Sequence, residues 1–340
     1  MIEQGFLKSN RNLTKIEKYL YTLENVIVDT KTGLVLDEKG MINFELAYEI
    51  LYWGPPIKGN VFDSESLLIE EICKRYRDKA NEVSAALENN NDITNLDPKN
   101  TYIYLLHPVG WYPYGHLHDS LNRLFSCKNE NIESPKLLCS RFNKINDFDL
   151  HIRAYGYDRS AIVDCTKLPR FIRVPKLLYP VNPSFYTSFR PDVYEWVLSG
   201  YSSVLSDSSK KYVGERYKLY LTRNHVVNGV RGVVNDEEVK DYLSKQGFKV
   251  LSGTESLREI FHYFSNSQCI IAPHGSILVN TIFCPSDSRI LEFCPANRVD
   301  YSFKNKYKHA TQYEHVLVEA DSKFNISLDL EVIKSFLEKL

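Results

Sequence analysis

Arginine, histidine, glycine and serine stand in this chain where apolar runs end, and that is the composition of an anion site. The stretch from Gln268 runs apolar through Cys269-Ile270-Ile271-Ala272, meets Pro273-His274-Gly275-Ser276, then continues with Ile277, Leu278, Ile282 and Phe283. A buried strand entering a helix reads this way. A helix start offers unpaired backbone N–H groups and a positive dipole end, and ligands of open parallel sheets collect at the carboxyl ends of strands. Gly275 lets a phosphate approach the backbone, while His274, Ser276 and Asn280 can add side-chain hydrogen bonds. A diphosphate is the guest that fits. Arg223 follows the apolar run Tyr217 to Thr222 and Arg231 lies in the loop behind it, so both belong on the same edge. Two guanidinium groups there would neutralise a diphosphate without a metal. Glu292 ends its own strand on that edge, either to accept ribose or sugar hydroxyls or as a buried structural carboxylate.

A second cluster is His116-Leu117-His118-Asp119, which follows the strand candidate Tyr102 to Leu106 and opens a helical spacing through Leu121, Leu124 and Phe125. His116 and Asp119 fall on one face of the first turn. Either could act as general base on an acceptor hydroxyl, histidine having the pKa suited to neutral pH. Metal binding and a plain helix cap are the other readings; two histidines without a fixed third ligand carry the first weakly. Asp147-Phe148-Asp149 has the D-x-D spacing that can hold a divalent ion, but polar residues precede it instead of a hydrophobic strand, which favours accident.

Elements must position these residues. Val26-Ile27-Val28 and Leu34-Val35-Leu36 flank turn signals and form a small N-terminal β hairpin or meander. Residues 64–90 are helical in pattern, Lys136 to Cys139 and Ser160 to Asp164 are strands, and Pro169 and Pro175 forbid a continuous basic helix over 166–180. Residues 184–205 read as a helix interrupted near Gly200, and Ser206 to Lys210 is the best linker. Beyond it, strands at 217–222, 248–251, 268–273, 289–293 and 315–319 alternate with helices. One is capped from Asn235-Asp236-Glu237-Glu238, one from Ser256, and a last one follows Asp329. That alternation predicts a parallel, Rossmann-like sheet without a G-x-G-x-x-G or P-loop. The organisation expected is a lobe at 1–205, a nucleotide-binding lobe at 211–325 and a C-terminal helix at 326–340.

Composition excludes more than it assigns. With 43% hydrophobic residues over 340 positions the chain can bury a large core, and a net charge of −1 provides no global attraction to nucleic acid. Seven cysteines without a C-x-x-C pair fit a reducing compartment, and no run reaches the ~18 apolar residues of a membrane span. Cytoplasmic location, with peripheral membrane association left open, is the expectation. The sequons at Asn12 and Asn325 are read as accidental in the absence of a secretion signal.

Taken as a series, Arg223, Arg231 with Asn235, Gly247-Phe248, Phe264-Ser265, Ala272-Pro273-His274-Gly275-Ser276, Asn280, Phe283 and Glu292-Phe293-Cys294-Pro295 resemble glycosyltransferase family 61. Upstream, Gly115-His116-Leu117-His118-Asp119 before Leu121-Asn122-Arg123-Leu124 is similar to the family's His and acidic motif, with His116 or His118 as the counterpart. The family usually has Ala where this chain has Ser276. The resemblance implies a GT-B fold of two Rossmann-like lobes facing a cleft. It further implies a nucleotide-sugar donor, UDP-linked such as UDP-xylose or UDP-GlcNAc, on the carboxy-terminal lobe. A glycan or glycolipid acceptor, as in surface polysaccharide synthesis, and inversion without an essential metal or other cofactor complete it. His116 and Asp119 would then be the candidate bases. The alternatives are a polysaccharide pyruvyltransferase of the same architecture and a non-catalytic sugar- or nucleotide-binding module.

Overall fold

The computed structural model describes residues 20–41, 65–90, 92–106, 117–140, 145–180, 190–209, 216–223, 230–307 and 312–340. Two compact units make up the chain, one drawn from residues 1–113, 119–152 and 157–186, the other from 114–118, 153–156 and 187–340. The architecture is mixed α/β with parallel strands in both.

In the first unit, β1 (Leu20–Asp29), β2 (Val35–Leu36), β3 (Ile93–Asn95), β4 (Thr101–Tyr104), β5 (Pro135–Cys139), β6 (Ile162–Asp164) and β7 (Phe171–Pro180) form one sheet in the order β2-β1-β7-β4-β5-β6, with β3 also on β7. Helix α1 (Glu65–Glu88) matches the helical spacing read from sequence, and Val83 on it is fully buried. The expected hairpin is present, Ile27 facing Leu36 and Val28 facing Val35. It is no separate small module, because β1 continues antiparallel along nearly all of β7. Val26, Ile27 and Val28 are consecutive and all buried, which a strand covered on both faces requires. The turn is tied down by Asp29, fully buried, whose carboxylate accepts from the Lys31 N–H at 3.0 Å and from Thr32 Oγ1 at 2.9 Å and pairs with Arg170 at 3.1 Å.

Strand β7 was not anticipated, and Pro175 is the reason. A proline cannot donate to a ladder, so a strand tolerates it only where no partner needs the bond. On one side Lys176 and Val174 pair with Glu24 and Val26 while Asn25, in a left-handed conformation at φ 53°, leaves the pair between them unmade. On the other side β3 reaches only Arg173 and β4 begins at Leu177. Pro175 sits in the gap.

The short helices α2 (Leu117–Leu121) and α3 (Phe148–Ala154) come before β6 in the chain, and the second unit carries α4 (Pro191–Ser209). After it come β8 (Tyr217–Leu221), α5 (Asp236–Lys245), β9 (Phe248–Leu251), α6 (Leu257–Ser265), β10 (Ser267–Pro273), a 3-10 helix at Ser276–Phe283, β11 (Arg289–Pro295), α7 (Ser302–Tyr307), β12 (Gln312–Val318) and α8 (Leu330–Leu337). Its five strands are all parallel, in the order β12-β11-β10-β8-β9. Counted along the chain this is 2-1-3-4-5, a doubly wound order whose direction reverses between β8 and β10. Ligands of such sheets bind outside the carboxyl ends of the strands at that reversal.

Three local expectations change. Helix α4 is continuous through Gly200, since a Cβ there would lie 1.9 Å from the Ala154 carbonyl oxygen; the glycine admits a close backbone instead of breaking the helix. Asn235 makes no capping bond to α5; its amide is used by Leu328, accepting from the Leu328 N–H and donating to its carbonyl, both at 2.9 Å. Ser256 does form the capping box with Glu259. After Pro273 the helix is 3-10, not α. Val279, Thr281 and Ile282 are β-branched, and the Asn280 amide donates to the Ile277 carbonyl at 2.9 Å, competing with the α pattern.

Candidate functional site

The site is built at the ends of β8 and β10. The end of β8 is pinned by Asp236, a buried carboxylate at the start of α5. It accepts from Tyr220 Oη at 2.6 Å and Thr222 Oγ1 at 2.7 Å and pairs with Lys240 at 2.6 Å. Arg223 is the next residue. Its guanidinium is buried, donates through Nη1 to the His274 carbonyl, and pairs with no carboxylate among the described residues. Burial, then the charges of Arg231 and Arg298, bring it down from the ordinary arginine range to about 10. A buried cation without a counter-charge is costly and marks a place where an anion would be welcome.

Gly275 is explained by the same arginine. Its backbone is extended at φ −176°, open to any residue, but a Cβ would lie 2.7 Å from Arg223 Nη1 and 3.2 Å from its Cζ. The space assigned from sequence to a phosphate is where Arg223 lies against the turn, so the glycine serves the anion site by admitting the guanidinium.

His274 is held from three directions. Its N–H donates to the Phe293 carbonyl at 2.7 Å, its Nδ1 lies 2.7 Å from Glu292 Oε1, and its Nε2 lies 3.7 Å from Asp300 Oδ2. An accepting carboxylate places the hydrogen on Nδ1 and leaves Nε2 as the other working atom. Glu292 is fully buried, with Tyr313 Oη donating to Oε2 at 3.0 Å and His315 Nε2 at 3.7 Å from the same oxygen. Register explains the convergence: Glu292 faces Ala272 on β10 and His315 on β12, and Tyr313 lies two residues before His315 on the same face. Burial first, and then the Glu292 charge, push the Tyr313 hydroxyl well above its usual range; burial holds His315 below the ordinary histidine value. Glu292 is buried and bonded to His274, a contact that neither sequence reading of it named.

Pro273 is the buried last residue of β10, facing Phe293; Ser276 is exposed at the head of the 3-10 helix; Asn280 is buried within it. Arg231 lies in the loop before α5 at φ 61°, its N–H donating to the Lys323 carbonyl at 2.9 Å. The structure therefore gathers Arg223, His274, Gly275 and Glu292 directly, with Arg231 electrostatically linked to Arg223. Arg298, Asp300, Tyr313 and His315 were missed; Arg298 and Asp300 closely follow the Glu292 strand in sequence, whereas Tyr313 and His315 meet Glu292 through the β11–β12 pairing. His116 falls outside the described residues, and of Asp119 only the backbone is described, in α2. His118 is buried, its Nδ1 2.9 Å from Tyr155 Oη, among the rings of Tyr155, Tyr201 and Phe283. Of the D-x-D carboxylates, Asp149 pairs with Arg159 at 2.9 Å. Among the described residues no three metal-ligand side chains converge.

A doubly wound sheet with cations and a His-Gly turn at its reversal defines an α/β protein with a cationic strand-end edge. The family described as Glycosyltransferase 61 matches residues 114–291, more than half of the chain, and the chain belongs to that family. It is a glycosyltransferase by that membership, with a sugar donor and a glycan acceptor as its general partners. No curated protein matches the chain. Among the described residues, no helix is long and apolar enough to cross a membrane.

Proposed function

We propose that the chain transfers a sugar from a nucleotide-sugar donor, UDP-linked such as UDP-xylose or UDP-GlcNAc, to a glycan acceptor in surface polysaccharide or glycan synthesis. Transfer inverts the anomeric carbon and needs no metal. The observation that carries this reading is buried Arg223, without a carboxylate partner among the described residues, on the edge where β8 and β10 diverge. The donor diphosphate is held by Arg223, Arg231 and the 273–276 turn, their charge doing what a divalent ion would otherwise do. His116 or Asp119 takes the acceptor proton, and the electron pair of the broken anomeric bond leaves with the diphosphate. A GT-B plan accounts for one sheet of largely parallel strands in each half of the chain. Among the described residues six buried free thiols suit a reducing, cytoplasmic setting.

The test is donor hydrolysis. Incubated with a panel of nucleotide sugars, the protein should slowly release a nucleoside diphosphate from one of them, equally well in EDTA. Release abolished by EDTA and restored by Mn2+ would overturn metal independence. Consumption of phosphoenolpyruvate in place of any nucleotide sugar would overturn the function.

A further inference from the structure

Past the end of β11 the chain makes a short 3-10 turn, Ala296–Arg298, and returns to the site two residues later, where the Asp300 carboxylate lies 3.7 Å from His274 Nε2. Arg298 is thus confined between two anchors at the strand-end edge that carries His274. Its guanidinium lies over the Phe324 ring, 5.5 Å from the centroid, and pairs with no carboxylate among the described residues. The neighbouring Asn297 amide donates to the Asp321 carbonyl at 3.1 Å. The turn Asp321–Asn325 that receives both is tightly knit: the Asp321 carboxylate accepts from the N–H groups of Lys323 at 2.7 Å and Asn325 at 2.9 Å. This turn also fixes the segment of a second, half-buried cation. Lys323 carbonyl accepts the Arg231 N–H at 2.9 Å, and Asn325 Oδ1 accepts the Gly232 N–H at 2.8 Å. One turn therefore positions the segments bearing Arg231 and Arg298, and the charges of both are felt at Arg223.

We infer that Arg298, held on Phe324 by the 321–325 turn, is a third guanidinium of the anion site and contacts the departing diphosphate. The inference rests on the donor-site reading above and extends it to the reaction step. The diphosphate of a nucleotide sugar carries about two negative charges; when the anomeric C–O bond breaks and its electron pair stays on the phosphate oxygen, a third charge develops, while the acceptor oxygen bonds the anomeric carbon and its proton goes to the base. Two cations match the bound donor. A third matches the leaving group, and its contribution belongs to turnover more than to donor capture. Stacking on an aromatic face pre-orders the arginine and lowers the entropy lost on contact.

The experiment is calorimetric binding of inorganic pyrophosphate and inorganic phosphate to the wild type, Arg231→Ala, Arg298→Ala, Arg298→Lys and Phe324→Ala, alongside kcat and KM with the donor that the hydrolysis panel identifies. Arg298→Ala should weaken pyrophosphate at least about tenfold and monophosphate less, with kcat falling more than KM rises. Arg298→Lys should recover part of the loss, and Phe324→Ala should give an intermediate one. If Arg231→Ala weakens pyrophosphate and Arg298→Ala does not, the third guanidinium is refuted and the donor site stands. If pyrophosphate fails to bind the folded wild type, the donor-site reading itself falls.

Discussion

Two histidines, each near a strand-to-helix junction in the sequence, end in opposite environments. His274 is caught between carboxylates, Glu292 at 2.7 Å and Asp300 at 3.7 Å, on the edge where the sheet reverses direction. His118 has the Tyr155 hydroxyl at 2.9 Å, lies among the rings of Tyr201 and Phe283, and is 1% exposed. One is oriented by carboxylates at a strand end; the other packs among rings. The difference teaches that histidine at a helix start is no guide to chemistry until the neighbours are known, and it moves the search for a base from His118 to His116 and Asp119.

The largest expected effect separates those alternatives. His116→Ala or Asp119→Asn should cut turnover by ~100-fold or more and leave donor affinity nearly intact, as removal of a general base does. His118→Phe should keep most of the turnover. Steady-state kinetics with the identified donor decides, and near-normal turnover in both of the first variants would return the motif to a helix cap. Next in size is the donor site: Arg231→Ala should lower nucleoside diphosphate affinity by an order of magnitude or more, a charge-assisted bond being worth ~1.5 to 3 kcal/mol. Unchanged affinity in the folded variant would remove Arg231 from the site. Smaller still is the packing term. His118→Ala should cost ~2 kcal/mol in chemical denaturation, from the lost ring contacts and the lost hydrogen bond with Tyr155, whereas the same change at His274 should act on turnover more than on stability.

What was legible follows the same division. Strands β8 to β11 are short apolar runs spaced by helical repeats, and local patterning alone locates them, so sequence aligns the ends that carry Arg223 and His274. Strand β7 was hidden because Pro175 argues against a strand unless the unmade pair at Asn25 is known, and that pair is a tertiary fact. Gly200 looked like a break because the backbone it accommodates, at Ala154, is distant in sequence. Arg298 had no motif at all: an exposed arginine in a loop acquires meaning only through Phe324 and the turn that also holds Arg231. Sequence showed the strand ends that carry Arg223 and His274, and long-range contacts supplied their neighbours.

The smallest expected change concerns Arg223 and tests why its charge is tolerated. Its folded pKa lies below the ordinary 12.5, at about 10, so the fold disfavours the charged form. The sign follows: the penalty is present at every pH below about 10 and fades as pH rises through that value, the reverse of a group stabilised by a partner. At ~1.4 kcal/mol per pH unit the penalty is of order 3 kcal/mol. Arg223→Met removes it but also removes the bond to the His274 carbonyl, worth ~1.5 to 3 kcal/mol for a charged donor. These nearly cancel, so at neutral pH without ligand the unfolding midpoint should move by only a few degrees. The response to an anion does not cancel. Pyrophosphate supplies the missing counter-charge and should raise the wild-type midpoint, but not that of Arg223→Met, in the same thermal melt. A collapse of the ligand-free variant would identify Arg223 as a bolt for the His274 turn first and a phosphate ligand second, and would weaken the contrast between a charged edge and a packed core.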